Sequence, residues 1–320
     1  MTDDAYAFAT ARVRYREASL LDRPFLDGMI NAPGVDEALQ SLAARGWELP
    51  EGCDWRAALK KRTADVWDEI RELAGDQRLL DFMTAKNDAY NVKAALKAIV
   101  SSTSPEGLLV TPAGLDPASL PELLAKKEYS KLPEIFADAA KEAYGLLTDA
   151  FDPQKADAVL DKAALRRQLE IARELKDGFL EDLAVTDARL TDLRVAKRFA
   201  GTKRSGEALR DFVTGEGGIS SADLAAASGS DEELSARLAE LGFDAESEAV
   251  KNDDVKFEKY CDDALIAIVR RNIYEAMGAR IVVGYWLAAR TEIRAVGIVL
   301  QCKELGMDDQ AAERIRDLYV

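Results

Sequence analysis

Apolar residues recur every three or four positions along most of the chain. This spacing places them on one side of a helix, because an α-helix has about 3.6 residues per turn. It is clearest in "DWRAALKKRTADVWDEIREL" (54–73), "KNDAYNVKAALKAIV" (86–100), "KADAVLDKAALRRQLEIARELKDGFLEDL" (155–183) and "DDALIAIVRRNIYEAMG" (262–278). Ala, Leu, Glu, Lys and Arg dominate these segments, and all of them favour helices. The pattern predicts an all-α protein.

Other segments predict breaks between the helices. The one strand-like piece, "GLLVTPAG" (107–114), contains proline and glycine, which limit it to a short stretch bounded by turns. Residues 101–121 are rich in proline and residues 201–218 in glycine, so both are predicted to be linkers. Residues 219–254 then predict short acidic helices with Ser or Asp at their N-caps.

The two linkers divide the chain into parts of similar length, which suggests an internal repeat. Asn91-Val92-Lys93 aligns with Asp192-Leu193-Arg194, 101 residues later, and with Ala295-Val296-Gly297 after a further 103. In this register three positions of the apolar stripe also match: Phe82, Leu183 and Trp286; Ala89, Leu190 and Ile293; and Val92, Leu193 and Val296. The fourth position has Leu96 and Leu300 but Lys197 between them.

Only Lys197 breaks that stripe. Three amphipathic helices can also be aligned by chance, but the linkers are identified independently of the stripe and have the same spacing. We therefore predict three helical repeats, at residues 1–105, 106–205 and 206–320.

A polar cluster interrupts the first of the aligned helices. Asp88 borders the apolar stripe, and Asn87 and Asn91 lie further round the helix. Such residues are usually solvated, but beside a buried face they can also hydrogen-bond a neighbouring segment and fix its position. An acidic residue recurs at the position of Asp88 in the third copy, as Glu292, whereas the second copy has Arg189. The recurrence favours a structural hydrogen-bonding role, and catalysis is not indicated.

Composition excludes several kinds of chemistry. The 320 residues include no histidine, which removes Ser-His-Asp and Cys-His catalysis, the HExxH zinc site and the Glu-x-x-His pairs of di-iron bundles. The cysteines, Cys53, Cys261 and Cys302, stand singly, which fits a reducing compartment better than a disulfide framework. No catalytic residue, cofactor site or metal site is predicted.

Charge and hydropathy limit the partners. The net charge of −15 argues against binding to duplex nucleic acid and against simple adsorption to an anionic membrane. The longest apolar run, "IVVGYWLAA" (281–289), is far shorter than the ~20 residues that span a bilayer, and no secretory signal opens the chain. We expect a soluble protein that could still dock onto a membrane protein.

One segment offers an enzymatic alternative. "NDDVKFEKYCDD" (252–263) is similar to the magnesium-binding carboxylates of all-α isoprenoid synthases. However, Lys256 stands where Ser or Thr is expected, and no third Asp follows three residues after Asp263. A solvated acidic loop is the better interpretation. Neither "GTKRSGE" nor "GEGG" has the spacing of a phosphate-binding loop.

Three passages resemble the C-type subunit of the prokaryotic V-type (A-type) ATPase, a relative of the d-type subunit in the vacuolar proton pump. The opening helix is similar to the family's Tyr-x-x-x-x-Ala-Arg-Val-Arg pattern through Tyr6, Ala11, Arg12, Val13 and Arg14. The polar cluster resembles its Asn-Asp-x-x-Asn-[Val/Leu]-[Lys/Arg] segment through Asn87, Asp88, Asn91, Val92 and Lys93. The last long helix resembles its Tyr-x-x-x-x-x-x-Glu-Ile-x-x-[Val/Ile] segment through Tyr285, Glu292, Ile293 and Val296, followed by Lys303 and Gly306.

The order and spacing of these motifs agree from residue 6 to about residue 316. Some positions depart from the family pattern. Arg280-Ile281 stands where the family often has Glu-Pro, Ala295 and Gly297 stand where it usually has Asn and Arg, and Arg189 stands where it often has an acid. These departures weaken the transfer of single polar contacts in the second and third copies, but not of the architecture.

The resemblance implies an all-α funnel of three similar subdomains around a pseudo-threefold axis. Such a subunit is a non-catalytic socket of the central stalk, at the cytoplasmic face of the membrane. It holds the shaft subunits in its mouth and rests on the proteolipid ring, through which alone it contacts the membrane. It is a monomer within the complex, and it needs no cofactor and no nucleic acid.

Interfaces that transmit torque commonly use Tyr, Trp and Arg as anchors. The candidate structural or interface residues are Tyr6, Arg12, Arg14, Asn87, Asp88, Asn91, Lys93, Tyr285, Trp286 and Glu292. The alternatives are a cytosolic α-helical scaffold and, less favoured, a magnesium-dependent isoprenoid synthase.

Overall fold

The computed structural model describes residues 3–50, 52, 54–200, 202, 206–274 and 278–320, with side chains from residue 7 onward. Every regular element in these ranges is a helix, which confirms the all-α class. The helices are α1 (Asp3–Glu17), α2 (Arg23–Asn31), α3 (Val35–Ala44), α4 (Trp55–Leu73), α5 (Gln77–Ser101), α6 (Leu120–Ala125), α7 (Glu134–Thr148), α8 (Pro153–Leu175), α9 (Gly178–Ala200), α10 (Gly206–Leu209), α11 (Ser221–Ala226), α12 (Asp231–Glu240), α13 (Asp244–Val250), α14 (Asp254–Arg271), α15 (Ala279–Glu304) and α16 (Asp308–Arg314). A 3₁₀ turn at Tyr129–Lys131 lies between α6 and α7.

The chain forms two compact units. The first combines Met1–Gln77 with Asp253–Val320, and the second is Arg78–Asn252. The three repeats predicted above are defined by similarity along the sequence, whereas these two units are defined by packing. The division into three repeats stays a prediction.

Helix α15 is the centre of the first unit. It packs against α1, α2, α3, α4, α14 and α16. Its Val296 and Leu300 are fully buried in one apolar cluster with Leu26, Met29 and Leu42 from the N-terminal helices. Since burial of each such side chain contributes about 1.5–3 kcal/mol, the two ends of the chain stabilise each other.

The second unit has an alanine-rich core. Ala89 of α5, Ala140 of α7 and Ala164 of α8 are buried there with larger residues such as Phe136 and Leu160. Small side chains let helix axes approach closely, so the core is filled by a few aromatic and leucine side chains between them.

Ion pairs join α5 to α8 and α9 at the edge of this core. Lys86, Lys93 and Lys97 lie 2.6, 2.5 and 2.7 Å from the carboxylates of Asp187, Asp161 and Asp157, respectively. Most of these side chains are partly exposed, so each pair contributes at most about 1 kcal/mol.

The apolar stripe predicted on the three long helices is buried in the structure. Phe82, Leu183 and Trp286 are at most 4% exposed, and the other aligned apolar residues are buried as well. Lys197, which breaks the stripe, keeps its side chain 8% exposed and donates from Nζ to the carbonyl oxygen of Val250 at 2.8 Å. Its aliphatic stem therefore occupies the apolar position while its charged end is satisfied.

The prediction of one helix over residues 155–183 was wrong. Helix α8 ends at Leu175, Lys176 adopts the left-handed conformation with φ 52°, and α9 starts at Gly178. Asp177 accepts the backbone N–H groups of Phe179 and Leu180 at 3.0 and 3.1 Å, so it caps the new helix. The residues before and after Lys176 favour a helix, so the sequence pattern did not indicate this break.

Other helix boundaries follow their capping residues. Helix α14 begins at Asp254 rather than at residue 262, because Asp253 accepts the N–H of Lys256 at 3.0 Å, and it ends at Arg271. Residues 275–277 of the predicted helix lie outside the described residues. The predicted serine caps in the acidic segment are confirmed at Ser220 and Ser230.

The shared core of the first unit gives a testable prediction. Leu300→Ala should cost about 3 kcal/mol, because Leu300 is fully buried. Since its cluster includes residues of α2 and α3, the amides of those distant helices should also lose protection in hydrogen exchange.

The matched control is Leu96→Ala, at the aligned position of the second unit. Leu96 is equally buried but packs with α6, α7 and α8. Its loss should expose amides of those helices and leave α2 and α3 protected. Equal effects of both substitutions on α2 would contradict the division into two units.

Candidate functional site

The polar cluster of α5 hydrogen-bonds an irregular segment that follows the same helix. We call residues 110–115 the first strap. Asn91 accepts the N–H of Val110 at 2.8 Å and donates to its carbonyl oxygen at 3.0 Å. Asp88 Oδ1 accepts the N–H groups of Gly114 and Leu115 at 2.8 and 2.9 Å.

Asn87 completes these contacts by donating to the carbonyl oxygen of Pro112 at 2.7 Å. Asp88 is 4% exposed and Asn91 is fully buried, so both lie deeper than their expected position beside the stripe. The first strap was predicted to be part of a linker. Its backbone groups are instead satisfied by side chains of α5, as buried or half-buried backbone requires.

Helix α9 holds a second segment in the same way. The second strap is residues 214–217. Asp192 accepts the N–H of Thr214 at 2.8 Å and that of Gly215 at 2.9 Å. One turn earlier, Arg189 donates from Nε to the carbonyl oxygen of Gly217 at 2.8 Å and pairs with Glu246. The residue that departs from the acidic pattern therefore bonds its strap through a carbonyl oxygen instead of an N–H.

Helix α15 holds a third segment, which comes from the other end of the chain. The third strap is residues 18–22, after α1. Glu292 Oε2 accepts the N–H of Leu21 at 2.6 Å. Glu292 Oε1 lies 3.3 Å from the guanidinium of Arg62, and Glu292 itself is 2% exposed.

The contacts obey the register of the sequence repeat. Asn91 bonds residue 110 and its equivalent Asp192 bonds residue 214. Asp88 bonds residue 115 and its equivalent Glu292 bonds residue 21. Residues 21, 115 and 219 each precede an Asp or Ser whose side chain accepts the N–H three residues later, at Asp22, Asp116 and Ser220.

A buried leucine then lies five positions after residues 21, 115 and 219, at Leu26, Leu120 and Leu224. This apolar–cap–leucine pattern is visible in the sequence, and sequence reasoning missed it. It marks the start of the helices that follow the three straps.

Burial raises the pKa of each of the three acids that hold the straps. It raises the pKa of Asp88 to about 6, against the opposing hydrogen bonds from Leu115, Gly114 and Thr84. Burial also raises the pKa of Asp192, where the N–H and hydroxyl of Thr214 oppose it, and that of Glu292, where Arg62 opposes it.

The remaining predicted residues lie in helices of their own unit. Tyr285 and Trp286 are each 1% exposed and belong to the core of the first unit, where Trp286 packs on Trp67 with ring centroids 5.1 Å apart. Burial raises the pKa of Tyr285 to about 12. Lys93 pairs with Asp161, as described above. The side chain of Tyr6 lies outside the described residues.

Arg12 and Arg14 tie α1 to its surroundings. Arg12 Nε lies 2.8 Å from Glu69 of α4, and Arg14 lies 2.6 Å from Glu17 and bonds the carbonyl oxygen of Ile273. Both are about one-third exposed. The structure thus gives them intramolecular partners and leaves part of each side chain at the surface.

Sequence reasoning also missed a buried cation. The side chain of Lys303 is 2% exposed and donates to the carbonyl oxygens of Ile30 and Ala32 at 2.7 and 2.6 Å. These carbonyls end α2, where cations are favoured. Lys303 belongs to the family pattern, but a lysine near a helix end gives no sign of burial.

Several carboxylates of the acidic segment 252–263 bond other groups of the first unit. Asp262 lies 2.8 Å from Arg294 and 2.7 Å from Arg316, and Asp263 accepts the N–H of Asp317 at 2.7 Å. Among the residues that the structure describes, no His, Cys, Asp and Glu side chains are grouped so that they could hold a metal ion. These contacts weigh against the synthase alternative.

A groove of about 880 Å³ lies within the first unit, between α4, α14, α15 and α16. Leu59, Leu265, Leu287 and Ile298 form part of its apolar lining.

None of the helices in the described ranges combines the length and apolar character of a membrane span.

A family model described as "ATP synthase (C/AC39) subunit" matches residues 9–315. The chain therefore belongs to this family of V/A-type ATPase subunits. The resemblance found in the three sequence motifs is confirmed. The chain matches none of the curated proteins with which it was compared.

The second strap provides a test of these contacts. A Cβ atom on Gly217 would lie 2.3 Å from the backbone N and Cα of Arg189, which cannot move without bending α9. Gly217→Ala should therefore lower the free energy of unfolding by about 2–3 kcal/mol, measured by urea denaturation.

Gly28→Ala is the matched control, because nothing lies within 4 Å of the new Cβ and Gly28 is inside α2. It should leave stability unchanged or raise it by up to about 1 kcal/mol through helix propensity. If Gly217→Ala were as mild as Gly28→Ala, the strap would not pack on α9 as described.

Proposed function

We propose that this chain is the central-stalk subunit of a V/A-type rotary ATPase. In this proposal it is a non-catalytic socket that couples the rotating shaft to the membrane proteolipid ring for proton or sodium transport. It lies at the cytoplasmic face and contacts the membrane only through the ring, as one copy per complex. The family match over residues 9–315 is the observation that carries the proposal.

We propose further that the socket consists of three helical repeats, with the boundaries 1–105, 106–205 and 206–320. The hydrogen bonds of the straps support this division, since equivalent positions of α5, α9 and α15 bond equivalent residues of the straps. The third long helix takes its strap from the N-terminus, so the last repeat is completed by residues 18–22.

A socket under torque must resist shear between its own helices. The straps place their hydrogen bonds at buried side chains, where water does not compete for them. In the first unit, Lys303 joins α15 to the end of α2, and Tyr319 donates to Glu17 at 2.8 Å. These contacts support a rigid coupling element rather than a flexible scaffold.

The proposal also agrees with the chemistry of the chain. It has no histidine, and Asp262 and Asp263 of the acidic segment bond arginine, lysine and backbone groups of the same unit. A coupling subunit requires binding surfaces and stiffness and no nucleophile.

Purification from native membranes tests the proposal. We expect a tagged chain, released with mild detergent, to co-purify with the ATPase head and the proteolipid. Gly28→Ala should behave as the unmodified chain, whereas Gly217→Ala should recover less of the complex because the chain itself is less stable. A chain found alone in the soluble fraction, while the proteolipid is in the membrane, would refute the assignment.

A second measurement tests coupling separately from binding. Membranes from cells lacking the chain should lose ATP-driven ion uptake, and the detached head should still hydrolyse ATP. If ion uptake persisted without the chain, the socket role would be wrong even though the family assignment stood.

A further inference from the structure

The first strap is closed over a short chain of three oxygen atoms. Thr84 Oγ1 lies 3.0 Å from the carbonyl oxygen of Leu80 and 3.1 Å from Asp88 Oδ2. Thr84 is fully buried and Asp88 is 4% exposed. Gly114 covers them so closely that a Cβ atom there would lie 2.8 Å from Thr84 Oγ1 and 2.9 Å from Asp88 Oδ2.

Proton counting distinguishes the two forms of the acid. The hydroxyl of Thr84 has one proton, and a threonine inside a helix commonly gives it to the carbonyl four residues earlier, here Leu80. The contact between Thr84 Oγ1 and Asp88 Oδ2 then has a hydrogen only if the carboxyl group is protonated. Asp88 Oδ1 remains free to accept the N–H groups of Gly114 and Leu115.

We propose that Asp88 works as a neutral carboxylic acid that donates its proton to Thr84, and that loss of this proton loosens the first strap.

The acid of α9 that holds the second strap, Asp192, aligns with Asn91 rather than with Asp88, and its surroundings favour the opposite form. There the hydroxyl oxygen of Thr214 accepts the N–H of Glu216 at 3.1 Å, so its proton is directed to Asp192 Oδ2 at 2.7 Å. With the two N–H groups of the second strap, Asp192 receives three donors, and Lys162 favours its charge. A carboxylate is satisfied there.

The charged groups described near Asp88 do not favour its ionised form in this way. Asp81, two turns earlier on α5, disfavours a second negative charge and itself lies 3.6 Å from Arg167 of α8. Asp116, which directly follows the first strap, accepts backbone N–H groups of the turn that it caps. Among the described residues, the groups within hydrogen-bonding distance of Asp88 are the neutral backbone N–H groups of the strap and the hydroxyl of Thr84.

The sign of the pH dependence follows from the raised pKa. The folded protein holds the proton of Asp88 up to about pH 6, whereas the opened strap releases it near the ordinary value of 3.8. Closure is therefore most favourable in acid and weakens as pH rises. Because opening of the first strap is coupled to release of this proton, the equilibrium constant for opening should increase about tenfold from about pH 5 to about pH 7.5.

Hydrogen exchange in the full chain measures this opening. We expect the protection factors of the Gly114 and Leu115 amides to fall about tenfold over that pH range. The Thr214 and Gly215 amides of the second strap are an internal control and should change less. Exchange must be expressed as protection factors, since the intrinsic rate itself depends on pH.

Asp88→Asn is the informative variant, because its amide reproduces the neutral acid. Its carbonyl can accept both strap N–H groups, and its NH₂ group can donate to Thr84. We expect the strap to stay protected at every pH, without the fall. Asp192→Asn should instead weaken the second strap. If Asp88→Asn lost protection at every pH, Asp88 would be acting as a carboxylate and the proposal would be overturned.

Thr84→Val decides the direction of the shared hydrogen bond. If the neutral acid donates to Thr84, removing that acceptor should lower the pKa of Asp88 and raise its dissociation constant about tenfold. A carboxyl ¹³C NMR titration of the full chain measures this change. Removing a donor from a carboxylate would raise it. A higher pKa in the variant, or an unmodified Asp88 that titrates near its ordinary value, would refute the proposal.

Discussion

The structure depends on one constraint, which is that backbone groups taken out of water need hydrogen-bond partners. The straps belong to no helix and no sheet, so they lack the regular backbone pairing that satisfies N–H groups in those elements. Side chains on the long helices supply the acceptors, at Asp88, Asp192 and Glu292. Each of these residues therefore fixes a connecting segment and, with it, the start of the next helix.

The three acids solve the same geometric problem with different electrostatics. Glu292 lies beside the guanidinium of Arg62, and Asp192 has a hydroxyl donor and the field of Lys162. Asp88 lies beside a threonine hydroxyl that is also within hydrogen-bonding distance of a backbone carbonyl oxygen. Since a buried charge is costly without a partner, these surroundings give three different balances between the ionised and neutral forms. The acids that hold the three straps can thus differ in their response to pH.

Much of the fold could be predicted from the sequence, because helices with one buried face follow from periodicity, and the caps at Ser220 and Ser230 were readable from their residue types. The break at Lys176 was not, since the residues on both sides favour helix and only a left-handed residue with a following cap ends it. At the site, recurrence suggested a hydrogen-bonding role for Asp88 and Glu292. Their partners are backbone groups, which have no sequence signature, so the straps themselves could not be predicted.

The packing between the chain ends has a consequence for biosynthesis. The second unit is continuous in sequence, whereas the first needs residues from both termini. On the ribosome, the N-terminal helices emerge before the 175 residues of 78–252 and must wait for α15, which carries the rest of their core. Their apolar faces are exposed in the nascent polypeptide during that delay, so chaperones have more to protect at the beginning of this protein than in its middle.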